Sequence, residues 1–521
     1  MSDALHIMSE AVRLRYSAGE EDEALSPLVR TDAAGHRLGA VRPGQQVIFY
    51  DLRGEREIEL SQALTEPGFA LFATKGPVEL TTLVEYHPGL RARVAFPPEQ
   101  KIKNTLCELI SAAGLRQLKV CESEKASHLG YFFNGKTAEK FPGEERVVVE
   151  SPRVEDYSQV PELKAKKVAD ELLARLSDQS CQFFLVNFAN IDVLGHLENE
   201  AAILKAVEVV DRELGRITRE AKNQGITTLI TADHGTVEKW LYPDGAIDTG
   251  HTASPVPLIL VDDRLKSQGA ELRDGELADL APTILKILGL AVPGEMSGRS
   301  LLVRGGAKSN RVMLIIADGW GLREENFGNL ILKSDTPNFN RLWNEYPHAR
   351  LQASGLAVGL PEGTVGNSEA GHLHLGAGRR IYSDRVRIDR AIEDRSFYAN
   401  PILLQAIQNS IQKKAALHLL GIVSFYSSHG SLKHLYALLE LARMQEAEEV
   451  YIHSLLGRRG ERPESGAHYI EEVEDFCRKL GLGKVVTVMG RFWALDREQN
   501  WDRVEKAYRA LVFGEGIAVK E

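Results

Sequence analysis

The chain has 521 residues, and its 63 Lys and Arg against 73 Asp and Glu give a formal net charge of −10. This acidic balance argues against a protein that coats nucleic acid or anionic lipid, although it leaves room for a local basic pocket. A hydrophobic content of 43% with 26% charged residues excludes global disorder and is typical of a globular protein with about three domain-sized units.

Apolar runs alternate with amphipathic stretches along the chain, a pattern typical of α/β proteins with largely parallel sheets. Helices are predicted at 199–222 and 432–445, and the segment 301–311 is predicted to be a linker. Strands are predicted, in chain order, at 45–53, 181–190, 226–232, 311–317, 416–424, 449–457 and 484–490. The first 95 residues alone are short for an independent enzymatic domain.

The cellular setting is predicted from the cysteines and the N-terminus. Four scattered Cys do not form a disulfide framework, which favours a reducing cytoplasm. The start of the chain, MSDALHIMSEAVRLRYSAGEEDE, carries early acids and no apolar core, so we expect no signal peptide. The longest apolar runs, such as VMLIIA, fall far short of the ~20 residues of a membrane span. We expect a soluble cytoplasmic protein with no membrane or nucleic-acid partner.

Three of the predicted strands end in an acid. The run at 181–190 leads to Asp192, the run at 226–232 leads to Asp233, and the run at 311–317 leads to Asp318. A single acid after a strand is usually a loop residue or a helix cap. Because functional groups gather at the carboxyl ends of parallel strands, three such acids favour one shared site.

Histidines accompany these acids. Asp192 and His196 are four residues apart, so a helical turn would place both on one face. His234 follows Asp233 directly, and His251 lies in DTGHTASPVP. A lone histidine is more often a structural residue than a metal ligand. The three acids and three histidines together, however, are more ligands than one ion would bind. Carboxylates and imidazoles without thiolates suit manganese, magnesium or zinc, and we expect two such ions.

A glycine-rich segment at 361–380 contains the candidate nucleophile, Ser368. Small neighbours allow a hydroxyl to be presented at a tight turn, with backbone N–H groups free to meet an anion. Such a loop alone is a weak signal. Divalent ions close to a hydroxyl would make it a nucleophile near neutral pH.

These motifs resemble the cofactor-independent phosphoglycerate mutases of the alkaline phosphatase superfamily. The resemblance covers nearly the whole chain and is carried by LIIADGWG, GNSEAGH, AFPPEQKIKNTL, ESEKASH, TADHG and GHTASPVP. It implies an α/β fold with an alkaline-phosphatase-like domain and a smaller, discontinuous phosphotransferase domain. Family members begin with the ADGWG strand, whereas here that strand follows the HTASPVP segment, so the sequence resembles a circular permutant.

The resemblance implies domain limits and site residues. The phosphotransferase domain would comprise 1–98 and 386–521, and the metal-binding domain would comprise 99–385, with the old termini joined through the linker at about 301–311. One ion would be held by Asp192, His196 and His251, and the other by Asp318, Ser368, Asp233 and His234. Ser368 would become phosphorylated, with Lys125 and His429 as further catalytic residues, and the substrate would be bound by Arg53, Arg56, Arg459, Arg491 and Arg497. Arginine suits this task because its planar fork binds phosphate or carboxylate in bidentate fashion.

Two loops depart from the family. Its S-D-G-G-V-H-S-H loop is replaced by residues 424–431, which keep His429 but have Phe425 in place of an acid. Its D-G-R-D loop is replaced by 457–460, so that both acids become glycine, at Gly457 and Gly460. The second acid resembles the group that handles the proton of the substrate hydroxyl, a role worth about 10²–10⁴-fold in rate. Glu461, His429 or Tyr426 could substitute, or the substrate could differ.

Three functions follow from these observations. The first is an isomerase that interconverts 3-phosphoglycerate and 2-phosphoglycerate through phosphoserine, as a monomer with two divalent ions, preferably Mn²⁺, and without 2,3-bisphosphoglycerate. The second is a mutase, phosphotransferase or phosphatase acting on another small acidic phosphate or phosphonate. The third is a non-catalytic protein that retains the fold, against which the complete set of ligands counts. In both catalytic cases the partner is a small phosphorylated acid.

Overall fold

The computed structural model describes residues 6–98, 101–305, 308–425, 427–457 and 464–521. The chain forms two compact units. Unit 1 combines Met1–Pro98 with Asp384–Glu521, and unit 2 is the continuous stretch Glu99–Ser383.

The elements are numbered in chain order over the described residues. The strands are β1 (Leu28–Thr31), β2 (Gln46–Phe49), β3 (Glu79–Thr82), β4 (Ala92–Val94), β5 (Arg116–Glu122), β6 (Glu144–Val149), β7 (Cys181–Phe188), β8 (Thr227–Thr231), β9 (Val256–Val261), β10 (Glu271–Leu272), β11 (Gly275–Glu276), β12 (Leu302–Arg304), β13 (Val312–Ala317), β14 (His348–Gln352), β15 (Leu417–Ile422), β16 (Val450–Leu456), β17 (Lys484–Gly490) and β18 (Ile517–Lys520). The α-helices are α1 (Ile7–Ser17), α2 (Gly54–Thr65), α3 (Leu106–Ala112), α4 (Ala165–Leu173), α5 (Asn190–Gly195), α6 (Glu200–Asn223), α7 (Asp263–Ser267), α8 (Leu280–Leu288), α9 (Leu330–Lys333), α10 (Pro337–Glu345), α11 (Ser368–Ala377), α12 (Asp384–Glu393), α13 (Pro401–Gln412), α14 (Leu432–Met444), α15 (Gly466–Leu480), α16 (Arg491–Ala494) and α17 (Trp501–Tyr508).

The sheet of unit 2 has the order β11-β14-β9-β8-β13-β7-β5-β6. Strands β7 and β8 lie on either side of β13 and run parallel to it, while β9 is antiparallel to β8. Every residue of β13 is buried, as its unbroken apolar run predicts for a strand covered on both faces. Three strands that are far apart in sequence therefore end at one edge of the sheet.

Helix α6 covers part of this sheet. It begins at Glu200 because the side chain of Asn199 accepts a hydrogen bond from the Ala202 backbone N–H and caps the first turn. Its buried residues include Ile203, Val207, Val210 and Leu214, at the three- and four-residue spacing that places apolar side chains on one helical face. The prediction of a helix at 199–222 is confirmed.

The sheet of unit 1 has the order β18-β1-β17-β16-β15-β2-β3-β4. Strands from both ends of the chain alternate in it, since β2 pairs with β15 and β1 pairs with β17. Its core includes Phe49, Leu419 and Ile452, all fully buried. Residues near the N-terminus thus complete their core with the last third of the chain.

The α/β prediction is confirmed, because both large sheets are mixed and flanked by helices. One local feature was not predicted. Within the described part of the supposed linker at 301–311, Leu302–Arg304 forms β12 and pairs with β10, because backbone pairing supplies order that composition does not reveal. Among the described residues, no helix combines the length and the apolar character needed to cross a membrane.

Candidate functional site

The carboxyl edge of the unit 2 sheet carries three buried acids. Asp318 follows β13, Asp233 follows β8 after one intervening residue, and Asp192 lies in the short helix after β7. Asp233 and Asp318 are fully buried and Asp192 is 7% exposed. The three acids therefore lie at the sheet edge where we expect a shared site.

Asp192 forms one triad with two histidines. Its Oδ1 lies 3.1 Å from His251 Nε2 and 3.4 Å from His196 Nε2, and the two ring nitrogens are 3.2 Å apart. Asp192 lies in α5 and His196 is the residue that ends that helix, so the four-residue spacing brings them together. These three ligand atoms could hold one cation.

A second group surrounds Ser368. The Nε2 of His234 lies 2.9 Å from Ser368 Oγ, 3.4 Å from Asp318 Oδ1 and 3.6 Å from Asp192 Oδ1. Ser368 Oγ lies 3.4 Å from the same Asp318 oxygen. The groups Asp192, His234 and Asp318, and Asp233, Asp318 and His372, could each hold a cation.

The three candidate imidazoles share one orientation. The Nδ1 atoms of His196, His251 and His234 lie 2.9, 3.0 and 3.2 Å from the backbone carbonyl oxygens of Thr249, Gly366 and Gly235. Because a carbonyl oxygen only accepts, each Nδ1 donates to it, and each ring directs its Nε2 at the acids as the atom that could bind a cation. Hydrogen bonds of this kind, from the ring nitrogen that does not bind the ion, commonly orient metal-binding histidines.

Ser368 begins helix α11. The side chain of Asn367 caps this helix by accepting a hydrogen bond from the Ala370 backbone N–H. A Cβ atom on Gly371 would lie 2.5 Å from the Asp233 carbonyl oxygen, so glycine lets the helix lie directly against that strand end. The nucleophile is therefore held at a helix N-terminus, where partial positive charge favours an anion.

Lys125 lies inside this cluster and is 2% exposed. Its Nζ donates to Asp192 Oδ2 at 2.6 Å and to Ser368 Oγ at 2.9 Å, and it lies 2.9 Å from Asp318 Oδ2. Burial disfavours its charge, but Asp318, Asp192 and Asp233 outweigh this effect and raise the pKa of the ammonium. Burial likewise disfavours the Asp192 anion, yet Lys125 and the two histidines hold the pKa of that carboxyl well below its usual range.

Sequence reasoning missed two residues of the cluster. Asn187, on β7, donates from Nδ2 to Asp318 Oδ2 at 2.8 Å and to His372 Nε2 at 3.1 Å. His372 Nδ1 in turn donates to the Ser368 carbonyl oxygen at 2.8 Å. Both nitrogens of His372 are thus engaged, which favours a positioning role. The available signal was its place four residues after Ser368, on the same face of α11.

The charge and geometry of the cluster fit divalent cations. Among the described residues, three buried carboxylates here face one fixed cation, Lys125, and uncompensated buried charge costs several kcal/mol per ion. Asp233 Oδ2 is buried and accepts no hydrogen bond from the described residues, since the nearby His372 Nδ1 donates to the Ser368 carbonyl instead. Oxygen and imidazole donors without thiolate match a hard or borderline divalent ion.

Three of the predicted substrate residues, Arg53, Arg56 and Arg491, form a basic cluster with His429 in unit 1. Arg491 is 7% exposed and its Nη2 lies 3.4 Å from His429 Nε2. Burial, together with the positive charges of Arg491, Arg53 and Arg56, lowers the pKa of His429 to about 4. Three guanidinium groups around a neutral imidazole favour the binding of an anion.

Arg497 is less closely associated with His429. Arg497 Nη1 contacts Glu55 Oε2 at 3.1 Å, and its side chain is 45% exposed. Arg459 lies outside the described residues, as do Tyr426, Gly460 and Glu461. Two buried acids that the sequence did not single out, Asp51 and Glu57, accompany His429.

Two family models match the chain. The model described as the Metalloenzyme superfamily matches residues 14–292. The model described as the BPG-independent PGAM N-terminus (iPGM_N) matches residues 388–521, at the other end of the chain. Together with the two mixed sheets, these matches confirm the α/β, alkaline-phosphatase-like fold class.

Three similar curated proteins share the name 2,3-bisphosphoglycerate-independent phosphoglycerate mutase. The protein from Moorella thermoacetica is 43% identical over 300 residues, 57% of each chain. That from Thermomicrobium roseum is 42% identical over 301 residues, 56% of this chain and 57% of the relative. That from Myxococcus xanthus is 47% identical over 208 residues, 40% of each chain. The chain thus spans between 40% and 57% of the length of these three relatives.

A solved structure of phosphoglycerate mutase from Leishmania mexicana, determined at low cobalt concentration, also matches. The TM-score is 0.36, with 23% identity and 53% of each chain covered.

Proposed function

We propose that this chain, which belongs to the Metalloenzyme superfamily, is a phosphoglycerate mutase that interconverts 3-phosphoglycerate and 2-phosphoglycerate through phosphoserine at Ser368. The observation that carries the proposal is the environment of the Ser368 hydroxyl. Its Oγ lies 2.9 Å from both Lys125 Nζ and His234 Nε2, beside the buried Asp318. The names of the curated relatives support the choice of substrate.

Two divalent ions are part of the proposal. Asp192, His196 and His251 would hold one ion, and Asp233, His234, Asp318 and Ser368 would hold the other. When bound, the ions supply Lewis-acid charge that stabilises the ionised hydroxyl and the oxygens of the transferring phosphoryl group. We favour Mn²⁺ over Mg²⁺ or Zn²⁺ because the donors mix imidazole with carboxylate. No 2,3-bisphosphoglycerate is needed, since Ser368 itself stores the phosphoryl group.

The chain's own groups would orient and activate Ser368. The Lys125 ammonium stabilises the ionised form of the hydroxyl and neutralises part of the acid cluster. The N-terminus of α11 adds backbone N–H groups and a favourable dipole for the phosphoryl oxygens. Asn187 and His372 hold Asp318 and the start of α11 in register.

Unit 1 would bind the acidic substrate. Arg53, Arg56 and Arg491 supply positive charge around His429, and Arg491 is buried enough for its attraction to be weakly screened. Arg459 and Arg497 would complete the set. A small phosphorylated hydroxy acid carries the two kinds of anionic group that such a cluster binds.

The order of the family matches supports a circular permutation. The model of an N-terminal region matches 388–521, whereas the superfamily model begins near the start of this chain. In the proposed arrangement, 1–98 and 386–521 form the phosphotransferase domain, and 99–385 forms the metal-binding domain, joined through about 301–311. The four buried free cysteines are consistent with a cytoplasmic enzyme, which we propose to be a monomer.

A second candidate is an enzyme of the same superfamily that acts on a different small acidic phosphate or phosphonate. It is favoured by the absence of acids at Phe425, Gly457 and Gly460, where the resembled family has them. The phosphoserine chemistry would be the same, but the acceptor pocket would suit another alcohol or water.

The test is an assay with 3-phosphoglycerate and Mn²⁺ coupled to enolase, with mass-spectrometric detection of phosphoserine. We expect turnover and phosphate on Ser368, and we expect Ser368→Ala to abolish both while the protein keeps its fold and metal. Phosphoserine formed from other phosphomonoesters, without turnover of 3-phosphoglycerate, would favour the second candidate. Labelling of the Ser368→Ala protein by substrate phosphate would refute the assigned nucleophile.

A further inference from the structure

A buried carboxylic acid is paired with His429 in unit 1. The side chain of Glu57 is fully buried and that of His429 is 4% exposed, and Glu57 Oε1 lies 2.8 Å from His429 Nδ1. The other oxygen, Oε2, accepts from the Arg56 backbone N–H at 3.1 Å in the first turn of α2. Both oxygens of Glu57 are therefore oriented, one by the helix N-terminus and one toward the imidazole.

Arg491 determines which nitrogen of His429 carries the proton. Its Nη2 lies 3.4 Å from His429 Nε2, and a guanidinium group only donates hydrogen bonds. Nε2 must then accept, which places the ring proton on Nδ1, where it is donated to Glu57. Nε2 is then unprotonated, and a substrate hydroxyl that displaces the long contact with Arg491 would meet a proton acceptor.

The surroundings shift the pKa values of both members of the pair. Burial raises the pKa of Glu57 to about 8, and burial with the neighbouring arginines lowers that of His429 to about 4. The charged or titratable groups that act on the pair are Asp51, Arg53, Glu55, Arg56 and Arg491. At neutral pH one added proton therefore enters or leaves the pair at modest cost, as an acid–base catalyst requires.

The sequence has no acid at the position where the resembled family has its proton-transfer group. The acid that handles the substrate hydroxyl proton in the resembled family is replaced by Gly460. Glu57 and His429 are 372 positions apart in sequence, so no local motif shows that they form a pair. We propose that the His429–Glu57 pair takes over this proton transfer, with His429 as the group that touches the substrate and Glu57 as its positioning residue. The proposal rests on the phosphoserine mutase function proposed above.

The proton balance of the step is simple. As the substrate hydroxyl oxygen forms its bond to phosphorus, the hydroxyl proton moves to His429 Nε2 and the Nδ1 proton moves to Glu57. The phosphorus–Oγ bond of phosphoserine breaks, and its electron pair stays on Ser368 Oγ. In the reverse direction Glu57 returns its proton to Nδ1 and Nε2 protonates the departing alkoxide, so the same pair serves both directions.

The test uses the full-length Mn²⁺-loaded protein and the substitution Glu57→Gln. Whichever way the amide is oriented, it cannot take up the Nδ1 proton, so the transfer from His429 to position 57 is lost. With 3-phosphoglycerate we expect kcat to fall about 10²-fold or more with KM changed less than about threefold. We also expect the rise of kcat with pH between about pH 7 and 8.5 to disappear.

An aryl phosphate distinguishes proton transfer from structural damage. Because a nitrophenolate departs without a proton, Ser368 phosphorylation by p-nitrophenyl phosphate should proceed in Glu57→Gln within about threefold of the wild-type rate. His429→Asn should show the same selective loss, and the double variant should be no worse than either single variant, since groups that act as a unit are non-additive. The matched control is Glu59→Gln, a buried acid on the same helix that accepts from the Gln499 backbone N–H, and it should keep both activities.

The inference is overturned if Glu57→Gln retains the wild-type kcat and pH profile, or if its activities toward 3-phosphoglycerate and toward the aryl phosphate fall to the same extent. The second result would assign Glu57 a structural role only. If the wild-type protein is labelled by the aryl phosphate but does not turn over 3-phosphoglycerate, the proposed function fails instead, and that failure appears in the wild type before any variant is compared.

Discussion

Lys125 Nζ lies 2.9 Å from Ser368 Oγ, although 243 positions separate the two residues in sequence. The same ammonium contacts Asp192 and Asp318, which together with His234 form one of the groups of potential metal ligands. One positive charge thus joins the candidate nucleophile to the acids that would surround the ions. Its removal should affect the reactivity of the hydroxyl more than the retention of metal.

We predict that Lys125→Met slows phosphorylation of Ser368 by about 10²–10³-fold, the usual range for loss of one preorganised electrostatic contact. Metal content should be unchanged or higher, because the three acids lose their competing cation. Rapid-quench labelling and elemental analysis measure the two quantities. Lys119→Met is the control, since Lys119 is also buried but pairs with Glu144, so that variant should lose stability and keep its labelling rate. An unaltered labelling rate in Lys125→Met would contradict the assignment.

We predict unequal effects of two ligand substitutions on metal stoichiometry. Asp192 takes part in two of the three candidate groups, whereas His196 takes part in one and its side chain is 48% exposed. His196→Ala should therefore lose about one ion per chain, whereas Asp192→Asn should lose that ion and also weaken retention of the second, whose ligand His234 lies 3.6 Å from Asp192 Oδ1. Inductively coupled plasma mass spectrometry after dialysis measures the ratio. Equal losses in the two variants would argue against an effect of Asp192 on the second ion.

The sheet edge was predictable because its signals are local. Each of β7, β8 and β13 is a run of apolar and β-branched residues followed closely by an acid, and a buried parallel strand requires this composition. The spacing of Asp192 and His196 likewise follows from one helical turn. The pairing of β12 was not predictable, because its partner, β10, is 30 residues away and has little apolar content.

The buried acid Glu57 in unit 1 was not predicted, for a related reason. Glu57 lies in a helix segment rich in charged residues, GEREIE, which is typical of a solvent-exposed face. Its burial depends on His429 and Arg491, which come from the other end of the chain. Only long-range packing turns such a residue from a solvated acid into a buried partner, and no periodicity records that change.

We predict that Arg491 contributes more to substrate binding than Arg497 does. Arg491 is buried beside His429, whereas Arg497 is 45% exposed and already paired with Glu55. Arg491→Lys should raise KM for 3-phosphoglycerate at least about tenfold, since it keeps the charge but loses the planar fork, and Arg497→Lys should raise it by less. Metal content, measured in both variants, should equal that of the wild type. A larger effect at Arg497 would contradict the proposed arrangement.

We predict that Glu57 makes the protein less stable as the pH rises. The pKa of Glu57 is raised to about 8 by burial, from an ordinary value near 4.5, so the folded state binds more protons than the unfolded state between these values. The free energy of unfolding must therefore fall as pH rises through this interval, and ionised Glu57 destabilises the fold fully above pH 8. Glu57→Gln removes this penalty, so at pH 8.5 the variant should be more stable by about 1–3 kcal/mol, while at pH 5 the two proteins should be similar.

Urea unfolding at pH 5, 7 and 8.5 measures this difference, with the exposed Glu55→Gln as the control that should show no such trend. The prediction has a functional consequence. A group retained at a cost in stability at the pH where it is ionised is typical of a residue that serves activity, because selection for stability alone would have replaced it. If Glu57→Gln is less stable than the wild type at every pH, Glu57 stabilises the fold as an ordinary counter-ion of Arg491, and the proton-transfer role loses its thermodynamic support.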